Sequence, residues 1–205
     1  ASAPASAGRP LQFGHGRLEI GDREAADLYG SVADELRSAV REHLVQDGVI
    51  LGYAGEPLAE RTYDASTIEA INCGLFDVAK PEDFDIAMNT IRAFERHLSV
   101  PDSPGFKRTT DPGWYEEQEW VVLDLRIATA LYAMASSPVA EARGLRSELL
   151  EKADALIDWV SGHVANNGGV VPELLGNGTR KFEGAIPMVG YGPGALLLAL
   201  RAKAA

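Results

Sequence analysis

The chain has 205 residues, of which 46% are hydrophobic and 24% are charged, and these values exclude a wholly disordered protein. Its 30 Asp and Glu outnumber its 19 Lys and Arg, so the formal net charge at pH 7 is −11. A field of this sign repels phosphate backbones and anionic lipid surfaces, which argues against a nucleic acid or a membrane as partner. The single cysteine, Cys73, stands in an apolar run, which predicts a buried and inert thiol.

Residues 1–21 carry no periodic pattern and open with Ala-Ser-Ala-Pro-Ala-Ser-Ala-Gly. Such small, Pro-containing stretches are typical of a linker or of a tail left by processing. The Ala-rich composition favours a secreted protein over a cytoplasmic one. We therefore expect one domain over residues 22–205, preceded by a linker or processed tail.

Six helices are predicted after this tail, and two kinds alternate along the chain. Helices of the first kind have one apolar face, whereas those of the second kind are apolar on most sides and indicate burial. The amphipathic helices cover 22–44, with Asp22 as N-cap, then 81–98 and 139–164. The apolar helices cover 66–78, 118–135 and 193–203.

This alternation predicts an all-α toroid in which outer helices keep one face in water and inner helices are covered on both sides. About three outer–inner pairs can be drawn, which make an open arc with an apolar flank at each end. A second chain or another copy of this chain could cover those flanks. A closed bundle of six helices is the alternative architecture.

Three long connections, 45–65, 99–117 and 165–192, all precede apolar helices and so lie at the same end of the array. Connections of about 20 residues within a compact domain usually carry function. In the first, Asp64 or Ser66 can cap the helix that follows. In the third, Glu173 stands among apolar neighbours, either as a catalytic carboxylate or as the partner of a nearby Arg.

The second connection combines Arg108 with several carboxylates and four aromatic residues between positions 105 and 120. Aromatic rings stack on sugar faces, and Arg and carboxylate groups bind pairs of hydroxyls. The stretch therefore predicts a sugar-binding wall, with a solvated acidic loop as the alternative. No HExxH or HxxxH pattern occurs, so no metal or other cofactor is predicted.

Three segments resemble the C-terminal half of the catalytic barrel of glycoside hydrolase family 15, which contains glucoamylases and glucodextranases. The segments are residues 63–72, Gly-Phe-Lys-Arg108 with Trp120 further along, and Asn167-Gly-Gly-Val-Val-Pro-Glu173 followed by Pro187-Met-Val-Gly-Tyr191. The resemblance extends over about residues 22–203. It implies an (α/α)6 barrel of which this chain holds about half.

The resemblance implies an inverting, exo-acting hydrolase that releases glucose from α-glucans or α-linked disaccharides. It makes Glu173 the general base that activates water, and it places Arg108 on sugar hydroxyls beside Trp120. The residues expected to line the glucose site are Arg108, Trp114, Glu117, Trp120, Asp64 and Tyr191. Glu116 or Glu119 could take the place of Glu117.

Inversion also requires a general acid about 6.5–9.5 Å from the base. In the family that acid follows a Trp that lies one inner helix before the segment matching Asp64, whereas residues 1–63 contain no Trp. Two hypotheses follow. In the first, a second chain supplies the acid and completes the barrel. In the second, the chain is a non-catalytic helical module that binds carbohydrate or another protein.

Overall fold

A computed structural model describes residues 23–54, 62–183 and 191–205. The predicted tail, the Asp22 cap and the segment around Pro187 lie outside these ranges and stay predictions. The helices are α1 Arg23–Leu44, α2 Glu69–Asn72, α3 Pro81–His97, α4 Val121–Ala135, α5 Pro138–Ala142, α6 Arg146–Asn166 and α7 Tyr191–Lys203. The strands are β1 Val45–Gln46, β2 Val49–Ile50, β3 Glu119–Trp120, β4 Leu174–Leu175 and β5 Phe182–Glu183.

Helix α4 is the inner helix of the arc, as its apolar circumference predicted. Most of its side chains are buried, and it packs most extensively against α6 and α7. Helix α3 buries one face, including Phe84, Ile91 and Phe94, and keeps charged residues on the other. The predicted all-α fold class is therefore confirmed, with strands confined to pairs of residues in the connections.

The predicted helix 66–78 is wrong beyond Asn72. A 3-10 turn over Ala65–Ile68 leads into the single turn of α2, which ends at Asn72. Gly74 then takes a left-handed backbone with φ 74°, a conformation that stops helices. Because the chain turns away there, the Cys73 side chain is exposed, and the expectation of a buried thiol is also wrong.

The predicted helix 139–164 is divided into α5 and α6. Ser137 caps α5 by accepting a hydrogen bond from the Ala140 amide, and Pro138 occupies the first turn. Gly144 has φ 67° and ends α5 before α6 begins. An apolar stripe continues across a break of this kind, so periodicity did not reveal it.

Apolar side chains are exposed on the first and the last of the described helices. On α1, Leu28 is 60% exposed and Leu36 is 59% exposed, and on α7 Leu197 is 59% exposed. This confirms the expected apolar flanks. Across the described ranges, each helix is too short or too polar to cross a membrane.

The three long connections meet at one end of the helices. Strand β3 pairs with β4, which places Trp120 opposite Leu174, and β4 pairs with β5. An isolated bridge joins Asp64 to Thr109, so the first connection lies beside the second. These short pairings hold together the loops that were expected to carry function.

Candidate active site

Four side chains from two of these connections form a continuous row. The guanidinium carbon of Arg108 lies 5.2 Å from the centre of the Trp120 ring. The Trp120 and Tyr115 rings meet edge to face at 5.0 Å, and the Tyr115 hydroxyl donates a 2.6 Å hydrogen bond to Oε1 of Glu173. A cation, two aromatic rings and a carboxylate therefore line one wall.

The backbone fixes Glu173 at the end of this row. Glu173 directly precedes β4, and its carbonyl accepts a hydrogen bond of 3.2 Å from the Val121 amide at the start of α4. Since β4 pairs with β3, the strand that carries Trp120, the carboxylate and the ring are held in a set register. Glu173 is half-buried, which leaves its carboxylate within reach of a ligand.

Tyr115 connects the carboxylate to the aromatic wall. Its carbonyl accepts a hydrogen bond of 3.3 Å from the Trp120 indole nitrogen, while its hydroxyl donates to Glu173. Burial, followed by the hydrogen bond to the Glu173 carboxylate, raises the pKa of Tyr115 to about 12. The phenol therefore remains protonated at neutral pH and serves as a fixed donor to Glu173.

Glu116 is the acidic partner of Arg108. Their closest atoms, Arg108 Nη1 and Glu116 Oε1, are 3.4 Å apart, and the Thr109 hydroxyl donates to the other oxygen of Glu116 at 3.3 Å. The Arg108 carbonyl accepts a hydrogen bond from the Ala65 amide, which anchors the residue to the first connection. Arg108 thus has a fixed backbone and a side chain oriented by a carboxylate.

The other candidate residues of this segment differ in their exposure to solvent. Trp114 is 60% exposed at the rim, with its ring 6.3 Å from that of Tyr115. Glu117 is exposed, and Glu119 is fully buried, so Glu116 is the acidic residue of this segment that reaches Arg108.

Asp64 and Tyr191 are not joined to the row by the contacts described above. The Asp64 carboxylate accepts a 2.8 Å hydrogen bond from the Ser66 amide, so it caps the 3-10 turn, the alternative role considered from the sequence. Tyr191 is exposed at the first position of α7. Next to it, a Cβ on Gly192 would lie 2.8 Å from a methyl carbon of Val171, so the start of α7 packs closely against this side chain.

Tyr115 is the site residue that sequence reasoning missed. It was counted among the aromatic residues of the second connection, but nothing in its spacing from Glu173 indicated a hydrogen bond across 58 positions. The composition of the segment was the available signal. Within the ranges that the structure describes, no group of three or more His, Cys, Asp and Glu side chains could hold a metal ion.

Solved structures of glycosidases share this fold. A wild-type glycosidase superposes with a TM-score of 0.63 at 22% identity, over 86% of this chain and 44% of its own. A family 15 glucoamylase from Hypocrea jecorina gives a TM-score of 0.71 at 12% identity, over 94% of this chain and 39% of its own. A glucoamylase from Saccharomycopsis fibuligera gives a TM-score of 0.64 at 14% identity, over 94% of this chain and 53% of its own.

At such low identities the similarity is one of fold, and it defines the chain as a glucoamylase-like, (α/α)6-type helical arc. The chain spans about half the length of the structures that it matches. Scans against protein-family models and against curated proteins gave no match.

Proposed function

We propose that this chain is the base-supplying half of an inverting, exo-acting α-glucoside hydrolase that releases glucose from α-glucans or α-linked disaccharides. A second chain supplies the general acid and the rest of the barrel. The row from Arg108 through Trp120 and Tyr115 to Glu173 is the observation that carries this proposal. The fold shared with glycosidases supports the reaction class, and one glycosidase variant was solved in complex with glucose.

In the proposed reaction, Glu173 removes a proton from a water molecule while the water oxygen attacks the anomeric carbon. The bond from that carbon to the leaving oxygen breaks, and the general acid protonates this oxygen. Inverted glucose and a shortened saccharide or alcohol are the products. Tyr115 fixes one oxygen of the Glu173 carboxylate and so sets its orientation toward the water.

The glucose unit is expected to lie against the aromatic wall. The exposed Trp114 offers a ring face, and Arg108 with Glu116 offers charged groups to adjacent hydroxyls. Trp120 is only 8% exposed and supports the wall from behind Arg108 and Tyr115. Glu117, Asp64 and Tyr191 remain predicted ligands from the sequence resemblance. Among the three neighbouring Glu residues, the contact with Arg108 favours Glu116.

A second chain is proposed on two grounds. Apolar residues are exposed on α1 and α7, the first and last helices that the structure describes. The chain also spans about half of the matched structures. Burying those side chains would be favourable by about 25 cal/mol for each Å² removed from water.

Native mass spectrometry of the protein as isolated tests this assignment. A complex with a different chain of comparable or larger size, which also hydrolyses maltotriose, supports the proposal. A 21.9 kDa monomer that binds maltotriose without hydrolysing it contradicts the proposal and favours the non-catalytic carbohydrate-binding module. A monomer that neither binds nor hydrolyses it favours an interaction module.

Replacing Tyr115 with Phe should lower kcat of the assembled enzyme while KM changes little. Hydrogen bonds to charged groups contribute about 1.5–3 kcal/mol, which corresponds to roughly 10- to 100-fold in rate. Steady-state hydrolysis of maltotriose measures the effect. Tyr132→Phe is the matched control, because that buried hydroxyl donates to Asp154 on α6 rather than to Glu173. An equal loss of kcat in both variants would contradict the role of Tyr115.

A further inference from the structure

Two buried carboxyl groups lie behind the aromatic wall. Glu119 and Asp124 are both 0% exposed. A Cβ built on Gly105 would lie 2.5 Å from Glu119 Oε1 and 2.6 Å from Asp124 Oδ2, so the two oxygens converge over the same glycine. Two ionised carboxylates in one buried site repel each other strongly, which makes the arrangement costly unless a proton lies between them.

Two donors contact the Glu119 carboxyl group. The Trp159 indole nitrogen donates to Oε1 at 2.7 Å, and Arg180 reaches Oε2 at 3.4 Å. Arg180 also donates to the Pro101 carbonyl and has a left-handed backbone with φ 56°, which is uncommon outside glycine. Glu119 is therefore a buried carboxyl group held by α6 and by the turn between β4 and β5.

Asp124 has fewer hydrogen-bond donors around it than Glu119. Its Oδ1 accepts a hydrogen bond of 2.8 Å from the Phe106 amide, whereas its buried Oδ2 has no donor. Burial and the charge of Glu119 raise the pKa of Asp124 well above its ordinary value. A proton on Oδ2 would convert the unpaired atom into a donor to Glu119 and would satisfy both groups.

We propose that Glu119 and Asp124 share one proton and act together as positioning residues for the sugar-binding wall. The positioning role rests on the proposed function, whereas the shared proton does not. Glu119 immediately precedes Trp120, and its backbone pairs with Leu175 and bridges to Lys107 beside Arg108. Asp124 holds the Phe106 amide of the same loop. The pair thereby fixes the strand of Trp120, and the loop that carries Arg108, against the strand that follows Glu173.

The pH dependence follows from the charged groups that face the pair. Glu119 faces Asp124 from α4 and Arg180 from the β4–β5 turn, and Trp159 on α6 presents an uncharged donor. Asp124 faces Glu119, and the loop before β3 presents the Phe106 amide rather than a charge. Because the folded pKa of Asp124 is raised, the stabilisation is complete below the pKa of the unfolded aspartate. It is lost as pH rises through the folded value.

Asp124→Asn and Glu119→Gln test the shared proton and the positioning role separately. An Asn at position 124 can donate permanently to Glu119 and still accept from the Phe106 amide, so we expect maltotriose affinity within about threefold of wild type. A Gln at position 119 places an uncharged amide beside Arg180 and removes the anion, so affinity should fall at least about tenfold. The thermal midpoint of the wild type should fall relative to that of Asp124→Asn as pH rises above the ordinary pKa of an unfolded aspartate.

NMR provides readouts that do not depend on sugar binding. The Asp124 carboxyl group should remain protonated at pH values where exposed carboxylates have ionised, and the chemical shift of its carboxyl carbon reports this. The Trp120 indole resonance, assigned with Trp120→Phe, should shift in Glu119→Gln and stay in place in Asp124→Asn. Leu149→Ala, which leaves a cavity in the buried face of α6, is the control for lost stability. It should not move the Trp120 indole resonance.

An Asp124 carbon that titrates with the exposed aspartates would overturn the shared proton. Equal movement of the Trp120 resonance in Asp124→Asn and Glu119→Gln would overturn the positioning role. A wild-type protein that shows every expected NMR result but binds no maltotriose supports the shared proton and the fixed wall. That same result contradicts the proposed function.

Discussion

Glu173→Gln is expected to lower kcat of the assembled enzyme by about 10²- to 10⁴-fold, the usual contribution of a general base. A Gln side chain has the same shape but cannot accept the proton of the attacking water. Its amide oxygen can still accept a hydrogen bond from the Tyr115 hydroxyl, whose oxygen lies 2.6 Å from Oε1 of the native Glu173. The dissociation constant for maltotriose should therefore stay within about threefold of the wild-type value.

Calorimetric titration and steady-state hydrolysis on the same preparation separate binding from turnover. Glu141 is an exposed residue of α5 outside the site. Glu141→Gln therefore removes one carboxylate without touching the wall and controls for the change in net charge. Full hydrolytic activity of Glu173→Gln in the assembled protein would show that another group is the base. A parallel loss of binding and turnover would instead assign Glu173 to substrate binding.

Gly105→Ala is expected to destabilise the fold by about 1–3 kcal/mol, the usual cost of overpacking a buried position. The new methyl carbon would lie 2.5 Å from Glu119 Oε1 and 2.7 Å from Glu119 Cδ, closer than real Cβ contacts. Neither carboxyl can move away cheaply, since Trp159 holds Glu119 and the Phe106 amide holds Asp124. For a chain of this size, each kcal/mol lowers the thermal midpoint by about 2–4 °C.

Gly162→Ala is the matched control for this substitution. Gly162 is exposed on α6, and a Cβ there would meet nothing within 4 Å. Replacing a helical glycine with alanine should stabilise the protein by about 0.5–1 kcal/mol. Thermal and urea unfolding of both variants measure the difference. A Gly105→Ala protein as stable as Gly162→Ala would mean that the buried carboxyls have room to separate.

Helix periodicity predicted α1, α3, α4 and the stripe of α6 because the apolar residues of each recur at helical spacing over several turns. It failed at residues 66–78, where apolar residues surround a single turn. A short apolar run looks the same whether it belongs to a buried helix or to a turn packed into the core. The left-handed Gly74 is what separates the two cases, and a lone glycine is a weak signal within an apolar pattern.

The site was predictable in composition and only partly in arrangement. The abundance of Arg, carboxylate and aromatic residues in the second connection indicated a wall, and in the structure Arg108 lies against the Trp120 ring. The selection of Glu116 over Glu117 as the partner of Arg108 depends on side-chain direction in an irregular segment. No periodic rule applies to such a segment, so its geometry comes from the backbone contacts of its neighbours.

The sequence by itself determined the all-α class, the amphipathic α3 and the buried α4, and the location of the long connections. These follow from hydrophobic periodicity, which is local and repeats along the chain. The tertiary structure alone decided that Tyr115 binds Glu173 and that Glu119 and Asp124 meet over Gly105. Both contacts join carboxyl groups to partners on other elements, and such pairs form only when strand register and helix packing bring distant backbones together.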